Sequence, residues 1–260
     1  AYNGYKIPLF LHEWVLFPKW RTRSGKEKEM KTLHLVCNAH LDPVWLWDWE
    51  EGAAEALSTF RTAAEFCEKT DGFLFCHNEA LLYRWIEEYE PDLFTKIQHL
   101  VADQKWHIMG GWYLQPDCNM PCGESFVRQI LAGNRYFEKK FGVKPTTAIN
   151  FDPFGHSRGL VQIMAKSGYD SYLFCRPLPS QCFLQPDDFI WVGLDGSEIM
   201  GHRASTHYNN VMGTAREKIE NYIDDNPGRE TGLVLWGIGN HGGGPSQKDL
   251  DDIRDLQQNG

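Results

Sequence analysis

Two acidic segments, far apart in the chain, each follow a short apolar run with the character of a buried strand. The first, Asn38-Ala-His-Leu-Asp-Pro-Val-Trp45, follows residues 33–37, and the second, Asn150-Phe-Asp-Pro-Phe-Gly-His-Ser157, follows residues 147–150. In an open α/β sheet, ligands bind beyond the carboxyl ends of the strands. We therefore expect one histidine and two aspartates of these segments to converge on one crevice: His40, Asp42 and Asp152.

Strand patterns alternate with helical patterns from residue 33 onwards, which predicts a parallel β-sheet flanked by helices in an α/β fold. Gly142 is expected to end a helix over residues 123–141. Asp195-Gly196 predicts the turn of a hairpin. Residues 1–31, which include a basic and polar stretch, are interpreted as an N-terminal extension, and residues 32–260 as the domain proper.

Composition narrows the function class. The 260 residues suffice for one domain with a sizeable core, and the net charge of −9 argues against nucleic acid or an anionic membrane as partner. Ten Trp and ten Tyr are more than packing alone usually requires, and such rings stack on sugar faces. The seven cysteines have no short repeated spacing, which indicates reduced thiols. Without a membrane-length apolar run or a clear signal peptide, we expect a cytoplasmic protein.

The residue types in the two acidic segments indicate metal and nucleophile chemistry. One imidazole with two carboxylates is a ligand set that zinc accepts. A carboxylate beside a cation stays ionised and is able to act as a nucleophile. A single His-x-Asp or Asp-Pro is common in ordinary turns. The repeated context of strand followed by acidic turn, surrounded by aromatic residues, favours the functional interpretation.

The same segments resemble the glycoside hydrolase family 38 α-mannosidases. Further segments agree in the same order along the chain, from about residue 32 to about residue 250. They are Gly110-Gly-Trp112 with Pro116-Asp117, Leu173-Phe-Cys-Arg176, and Gly237-Ile-Gly-Asn-His-Gly-Gly-Gly-Pro245. The resemblance implies a distorted, seven-stranded β/α barrel-like fold. It also implies hydrolysis of terminal α-mannosyl residues of oligosaccharides or glycans, with retention of configuration.

Roles for individual residues follow from the resemblance. It implies one Zn²⁺ per chain, held by His40, Asp42 and Asp152, with Asp152 also the nucleophile that forms a covalent glycosyl-enzyme. Arg176 is expected to keep Asp152 ionised and oriented. Mannose binding is assigned to Trp45, which stacks on the sugar, and to Asp117 and Tyr208, which bind its hydroxyls. The implied partner is a mannose-containing oligosaccharide, and the resemblance also allows a homodimer in the full-length protein.

Two departures from the family pattern concern catalysis. The family's general acid is usually an Asp in the glycine-rich segment, where this chain has Asn240 and His241. His241 is the candidate acid, and Asn240 is a candidate for binding sugar hydroxyls. The family's fourth zinc ligand lies beyond this region, as do its helical-bundle and β-rich C-terminal domains. We therefore expect residues 32–260 to be the N-terminal catalytic domain.

Two alternatives stay open at this point. Metal-dependent carbohydrate deacetylation also uses His and Asp ligands, but it needs a His-x-x-x-His pair that this sequence lacks. A domain that binds metal and sugar without turnover would explain the missing acid and fourth ligand. An aryl α-mannoside assay with and without a chelator separates these functions.

Overall fold

The computed structural model describes residues 20–21, 27–28, 32–184, 186–239 and 243–259. The strands are β1 (Trp20–Arg21), β2 (Glu27–Lys28), β3 (Thr32–Asn38), β4 (Phe75–His77), β5 (Trp106–Ile108), β6 (Thr147–Asn150), β7 (Ser171–Phe174), β8 (Asp188–Val192), β9 (Glu198–Arg203) and β10 (Thr231–Trp236). The helices are α1 (Trp49–Lys69), α2 (Ala80–Tyr89), α3 (Pro91–Ala102), α4 (Gly123–Phe141), α5 (Gly159–Lys166), α6 (Ala215–Asp225) and α7 (Gln247–Asn259).

The main strands pair in two arcs of four. The first arc is entirely parallel, in the order β10-β3-β4-β5, and the second has the order β6-β7-β9-β8 with only β8 antiparallel. Among the described residues no ladder joins β5 to β6 or β9 to β10, so strand pairing does not close a barrel. The predicted parallel sheet flanked by helices is confirmed.

One inner cluster of side chains joins the two arcs. Four of its residues lie in strands β3, β4, β6 and β10, and four lie in the segments that follow β6, β7 and β9. They are Val36, Cys76, Ile149, Leu235, Phe151, Cys175, Ala204 and Tyr208. Separate apolar clusters lie beneath the helices on the outside of each arc. The carboxyl ends of six parallel strands therefore surround the same core, which is the arrangement that brings their loops together.

Local sequence signals explain two of the element boundaries. Gly142 takes a left-handed conformation (φ 68°) directly after α4, as predicted for a helix-ending glycine. Asp195 caps the β8–β9 hairpin by accepting a hydrogen bond from the backbone N–H of Ser197 at 3.1 Å. Helix α1 begins at Trp49, so the first motif runs almost directly into it. The predicted N-terminal extension falls largely outside the described residues.

The cysteines agree with the expectation of reduced thiols. All seven cysteines are free thiols, five of them buried and two, Cys122 and Cys182, exposed. Among the helices in the described part of the chain, none has the length and apolar character needed to span a bilayer.

Candidate active site

The loop that carries His40 and Asp42 is held from three sides. Asn38, at the end of β3, donates through Nδ2 to the carbonyl of Tyr208 at 3.1 Å and to that of Trp236 at 3.3 Å. Trp47 donates through its indole N–H to the carbonyl of Asp42 at 3.1 Å. Helix α1 packs so closely that a Cβ on Gly52 would lie 2.1 Å from the carbonyl oxygen of Pro43. The asparagine that opens the motif is thus structural.

The loop that carries Asp152 is fixed in a similar way. Asn150, at the end of β6, donates through Nδ2 to the carbonyl of Pro116 at 2.8 Å. The backbone N–H of Phe151 donates to Oε1 of Gln115 at 2.7 Å. Asn119 also hydrogen-bonds the carbonyl of Phe154. The segment after β5 therefore positions the loop after β6.

Asp152 is paired with Arg176. The Nε atom of Arg176 lies 2.6 Å from Oδ1 of Asp152, at ion-pair distance but without the angle of a hydrogen bond. His156 donates from Nε2 to the carbonyl of Arg176 at 2.7 Å and lies 3.2 Å from the hydroxyl of Tyr172 through Nδ1. His156 therefore supports the backbone of the arginine. It precedes α5 and is not part of that helix.

His40 is buried beneath the first loop. Its Nε2 lies 3.3 Å from Oδ1 of Asp42, and its ring centroid lies 4.5 Å from that of Tyr208. Burial opposes the charged imidazole, but Asp42 and the negative charges of Glu79 and Asp152 outweigh it and raise the pKa of His40. The three predicted zinc ligands thus influence one another electrostatically.

The described residues do not draw the predicted ligands into a compact metal cluster. Within that part of the chain, no three His, Cys, Asp or Glu side chains are grouped closely enough to enclose an ion. Two of the predicted ligand atoms, Nε2 of His40 and Oδ1 of Asp152, are nevertheless buried and make no hydrogen bond to described residues. The zinc site stays a prediction.

Glu79 is a site residue that the sequence reasoning missed. It is 3% exposed, adopts a positive φ of 65°, and accepts the backbone N–H of Gln115 at 3.2 Å. Burial raises its pKa to about 7, although the positive charge of His40 and the hydrogen bonds from Gln115 act in the opposite direction. Its position after β4 is the same signal of a polar residue at a strand end that identified the two motifs.

The predicted sugar-binding residues lie in different settings. Trp45 is 61% exposed and packs edge-on against Trp47, so its ring is accessible for stacking. Tyr208 is buried and stacks on Phe151. Asp117 accepts the backbone N–H of Asn119 at 2.8 Å and so stabilises its own turn. Two further candidates, Asn240 and His241, lie outside the described residues.

Comparison with known proteins identifies the family of this chain. Residues 30–260 match the glycosyl hydrolases family 38 N-terminal domain, and the chain therefore belongs to glycoside hydrolase family 38. Alpha-mannosidase G of Dictyostelium discoideum is 32% identical over 215 residues, which are 81% of this chain and 20% of that protein. Human alpha-mannosidase 2C1 is 30% identical over 228 residues, 86% of this chain and 22% of that protein.

The fold is also found in a solved structure. The crystal structure of an alpha-mannosidase from Enterococcus faecalis V583 superposes with a TM-score of 0.74 at 20% identity. It covers 86% of this chain and 26% of that one. The chain thus spans about a fifth of the length of the curated relatives. The activity of those full-length proteins is therefore only proposed for this chain.

Proposed function

We propose that this domain hydrolyses terminal α-mannosyl residues of oligosaccharides or glycans, with retention of configuration and Asp152 as nucleophile. The observation that carries the proposal is the pairing of Asp152 with Arg176 beside His40 and Asp42, in a chain of glycoside hydrolase family 38. The names of the relatives support the choice of mannose.

Retention requires two displacement steps at the anomeric carbon, which need a nucleophile and a general acid. An oxygen of Asp152 forms a bond to the anomeric carbon while the bond from that carbon to the aglycone oxygen breaks, and that oxygen takes a proton from the general acid. The oxygen of a water molecule then bonds to the anomeric carbon and gives a proton to the deprotonated acid, while the bond from that carbon to the Asp152 oxygen breaks, and this second inversion restores the original configuration. Arg176 orients the carboxylate for the first step. Trp45 offers an exposed ring for the sugar.

Zinc fits the donor set of the site. His40, Asp42 and Asp152 would hold it, since they combine an imidazole with two carboxylates. Nε2 of His40 and Oδ1 of Asp152 are buried and have ion-pair partners but no hydrogen bonds to described residues. When bound, the metal would supply a Lewis acid to the sugar hydroxyls. A cytoplasmic location and a homodimer of the full-length protein remain further predictions.

The presence or absence of a general acid distinguishes an enzyme from a domain that only binds. The segment Gly237-Ile-Gly-Asn-His-Gly242 contains no carboxylate, which is the specific observation in favour of a domain that binds metal and sugar without turnover. His241 is the candidate acid of the enzymatic alternative, because imidazole is able to donate a proton near neutral pH.

The test is hydrolysis of an aryl α-mannoside by the purified chain, with the anomer of the first product identified by NMR. We expect α-mannose first and loss of activity in Asp152→Asn. Asp195→Asn is the matched control, because Asp195 also pairs with a cation, Lys166, at 2.8 Å but lies in the turn between β8 and β9. Binding of mannose without turnover would support the binding domain, and β-mannose as first product would refute retention.

Metal dependence has its own measurement. Elemental analysis should find about one zinc per chain in the wild type and less in His40→Ala, with chelator abolishing hydrolysis. His99→Ala, on the exposed face of α3, should retain the wild-type metal content. Equal metal in His40→Ala and the wild type would refute the assigned site.

A further inference from the structure

The side chain of Gln115 joins the two loops that carry the predicted zinc ligands. Its Oε1 accepts a hydrogen bond from the backbone N–H of Phe151 at 2.7 Å, and its Nε2 lies 3.4 Å from Nδ1 of His40. Its own backbone N–H donates to Oε1 of Glu79 at 3.2 Å. One anchored amide therefore contacts both the ring of His40 and the residue before Asp152.

The backbone N–H of Phe151 determines which way this amide faces. Phe151 is 1% exposed, so its N–H needs an acceptor within the protein. Only the oxygen end of the Gln115 amide is able to accept. Turning the amide over would set two donors against each other and leave a buried N–H without an acceptor. The Nε2 end of Gln115 therefore faces His40.

The orientation of the amide in turn determines which nitrogen of His40 carries the proton. Nε2 of Gln115 only donates, so Nδ1 of His40 faces it with a lone pair. The single proton of the neutral imidazole then lies on Nε2. That atom is 3.3 Å from Oδ1 of Asp42, at ion-pair distance but without hydrogen-bond geometry, so the carboxylate favours a proton there only through its charge. The contact with Gln115 is therefore what determines the tautomer.

We propose that Gln115 is a positioning residue that holds His40 protonated on Nε2 and couples metal binding at His40 to the backbone beside Asp152. A histidine that binds zinc offers the lone pair of one nitrogen and donates the N–H of the other to an acceptor. To bind through Nε2, His40 must move its proton to Nδ1, and Gln115 must turn its oxygen towards that proton and release Phe151. The coupling to metal rests on the proposed zinc site, whereas the tautomer does not.

The first test is spectroscopic and needs no metal or activity. In metal-free protein, at a pH high enough that the ¹⁵N shifts of the His40 ring no longer change and the ring is neutral, a long-range ¹H–¹⁵N spectrum should place the His40 proton on Nε2. In Gln115→Glu it should move to Nδ1, because one carboxylate oxygen keeps the Phe151 bond while the other accepts from His40. A proton on Nδ1 in the wild type would overturn the proposal. The spectrum of His40→Gln assigns the signals.

The second test is zinc affinity, measured by competition with a chromophoric chelator at constant pH. Gln115→Glu should bind zinc about 10- to 100-fold more tightly than the wild type, the size of effect typical of a partner to a ligating histidine. Gln129→Glu is the matched control. It adds the same charge on α4, where Gln129 accepts the Leu114 N–H at 3.0 Å, and should change the affinity far less.

Equal gains in the two variants would attribute the effect to charge and overturn the coupling. No zinc binding in any of the three proteins would also overturn the coupling, even with the expected tautomer. Failure of the proposed function is separable from both results. Loss of mannoside hydrolysis in every protein would leave the tautomer and the affinity difference intact.

Discussion

The Nε atom of Arg176 lies 2.6 Å from Oδ1 of Asp152 because two neighbouring parallel strands end side by side. β6 and β7 pair with Asn150 opposite Phe174, and each strand delivers its charged residue two positions beyond that pair. Cation and acid are therefore brought together by the sheet register, which makes the pair a property of the fold.

Removal of the arginine should impair the first chemical step. We expect Arg176→Met to lower kcat on an activated aryl α-mannoside about 100- to 1,000-fold, the usual effect of losing one electrostatic partner in an active site. Arg176→Lys should recover part of the loss, since lysine keeps the charge without the planar fork. Arg158→Met is the control, because Arg158 hydrogen-bonds the carbonyl of Val192 at the surface. Equal losses in Arg176→Met and Arg158→Met would contradict the role.

The general acid is testable through the leaving group. A dinitrophenyl mannoside departs with little protonation, whereas a mannobiose needs a proton donor. If His241 is the acid, His241→Ala should lower mannobiose hydrolysis about 100- to 10,000-fold and dinitrophenyl mannoside hydrolysis far less. Both rates are measured at saturating zinc. An unchanged ratio of the two rates would exclude His241 as the acid.

His77 should make the fold sensitive to acid. It is fully buried against Phe60 and Phe75, and burial lowers its pKa to about 3. Below about pH 6.5 the histidine is protonated in the unfolded chain but stays neutral in the folded chain. The free energy of unfolding therefore decreases by up to about 1.4 kcal/mol for each unit by which the pH is lowered. In metal-free protein, His77→Phe should remove this loss.

Urea denaturation of both proteins between about pH 7 and about pH 5 measures the difference, in the range where the unfolded histidine becomes charged. The advantage of His77→Phe should grow steadily as the pH falls. His99→Gln, at an exposed histidine of α3, should show no such trend. A constant difference between His77→Phe and the wild type would refute the buried neutral imidazole.

Gly133 should resist replacement although it lies within a helix. Alanine gains about 1 kcal/mol of helix propensity, but a Cβ there would lie 2.2 Å from the carbonyl oxygen of Gly111. Overpacking against backbone costs typically about 1–3 kcal/mol, so Gly133→Ala should destabilise the fold in urea denaturation. Gly123→Ala, where the nearest atom is 3.7 Å away, is the control on the same helix. Equal or higher stability of Gly133→Ala would contradict this packing.

Sequence patterns are sufficient to predict the parallel sheet and the strand ends, because strands and helices bury apolar residues with different periods. Helix α4 matches its predicted limits because a glycine ends it. Glu79 follows the end of β4 and carries the same signal as the two motifs, whereas Gln115 could not be found in this way. The importance of Gln115 depends on the segment after β5 folding back onto β4 and β6, and no local sequence period predicts such a contact.

The measurement that most directly tests the central claim is peptide mapping after inactivation by a fluorinated mannosyl compound. Such a compound should trap the glycosyl-enzyme, because fluorine slows its breakdown. We predict a single adduct on Asp152 and no adduct in Asp152→Asn. An adduct on another carboxylate, in a protein that turns over mannosides, would contradict the assignment of Asp152 as nucleophile.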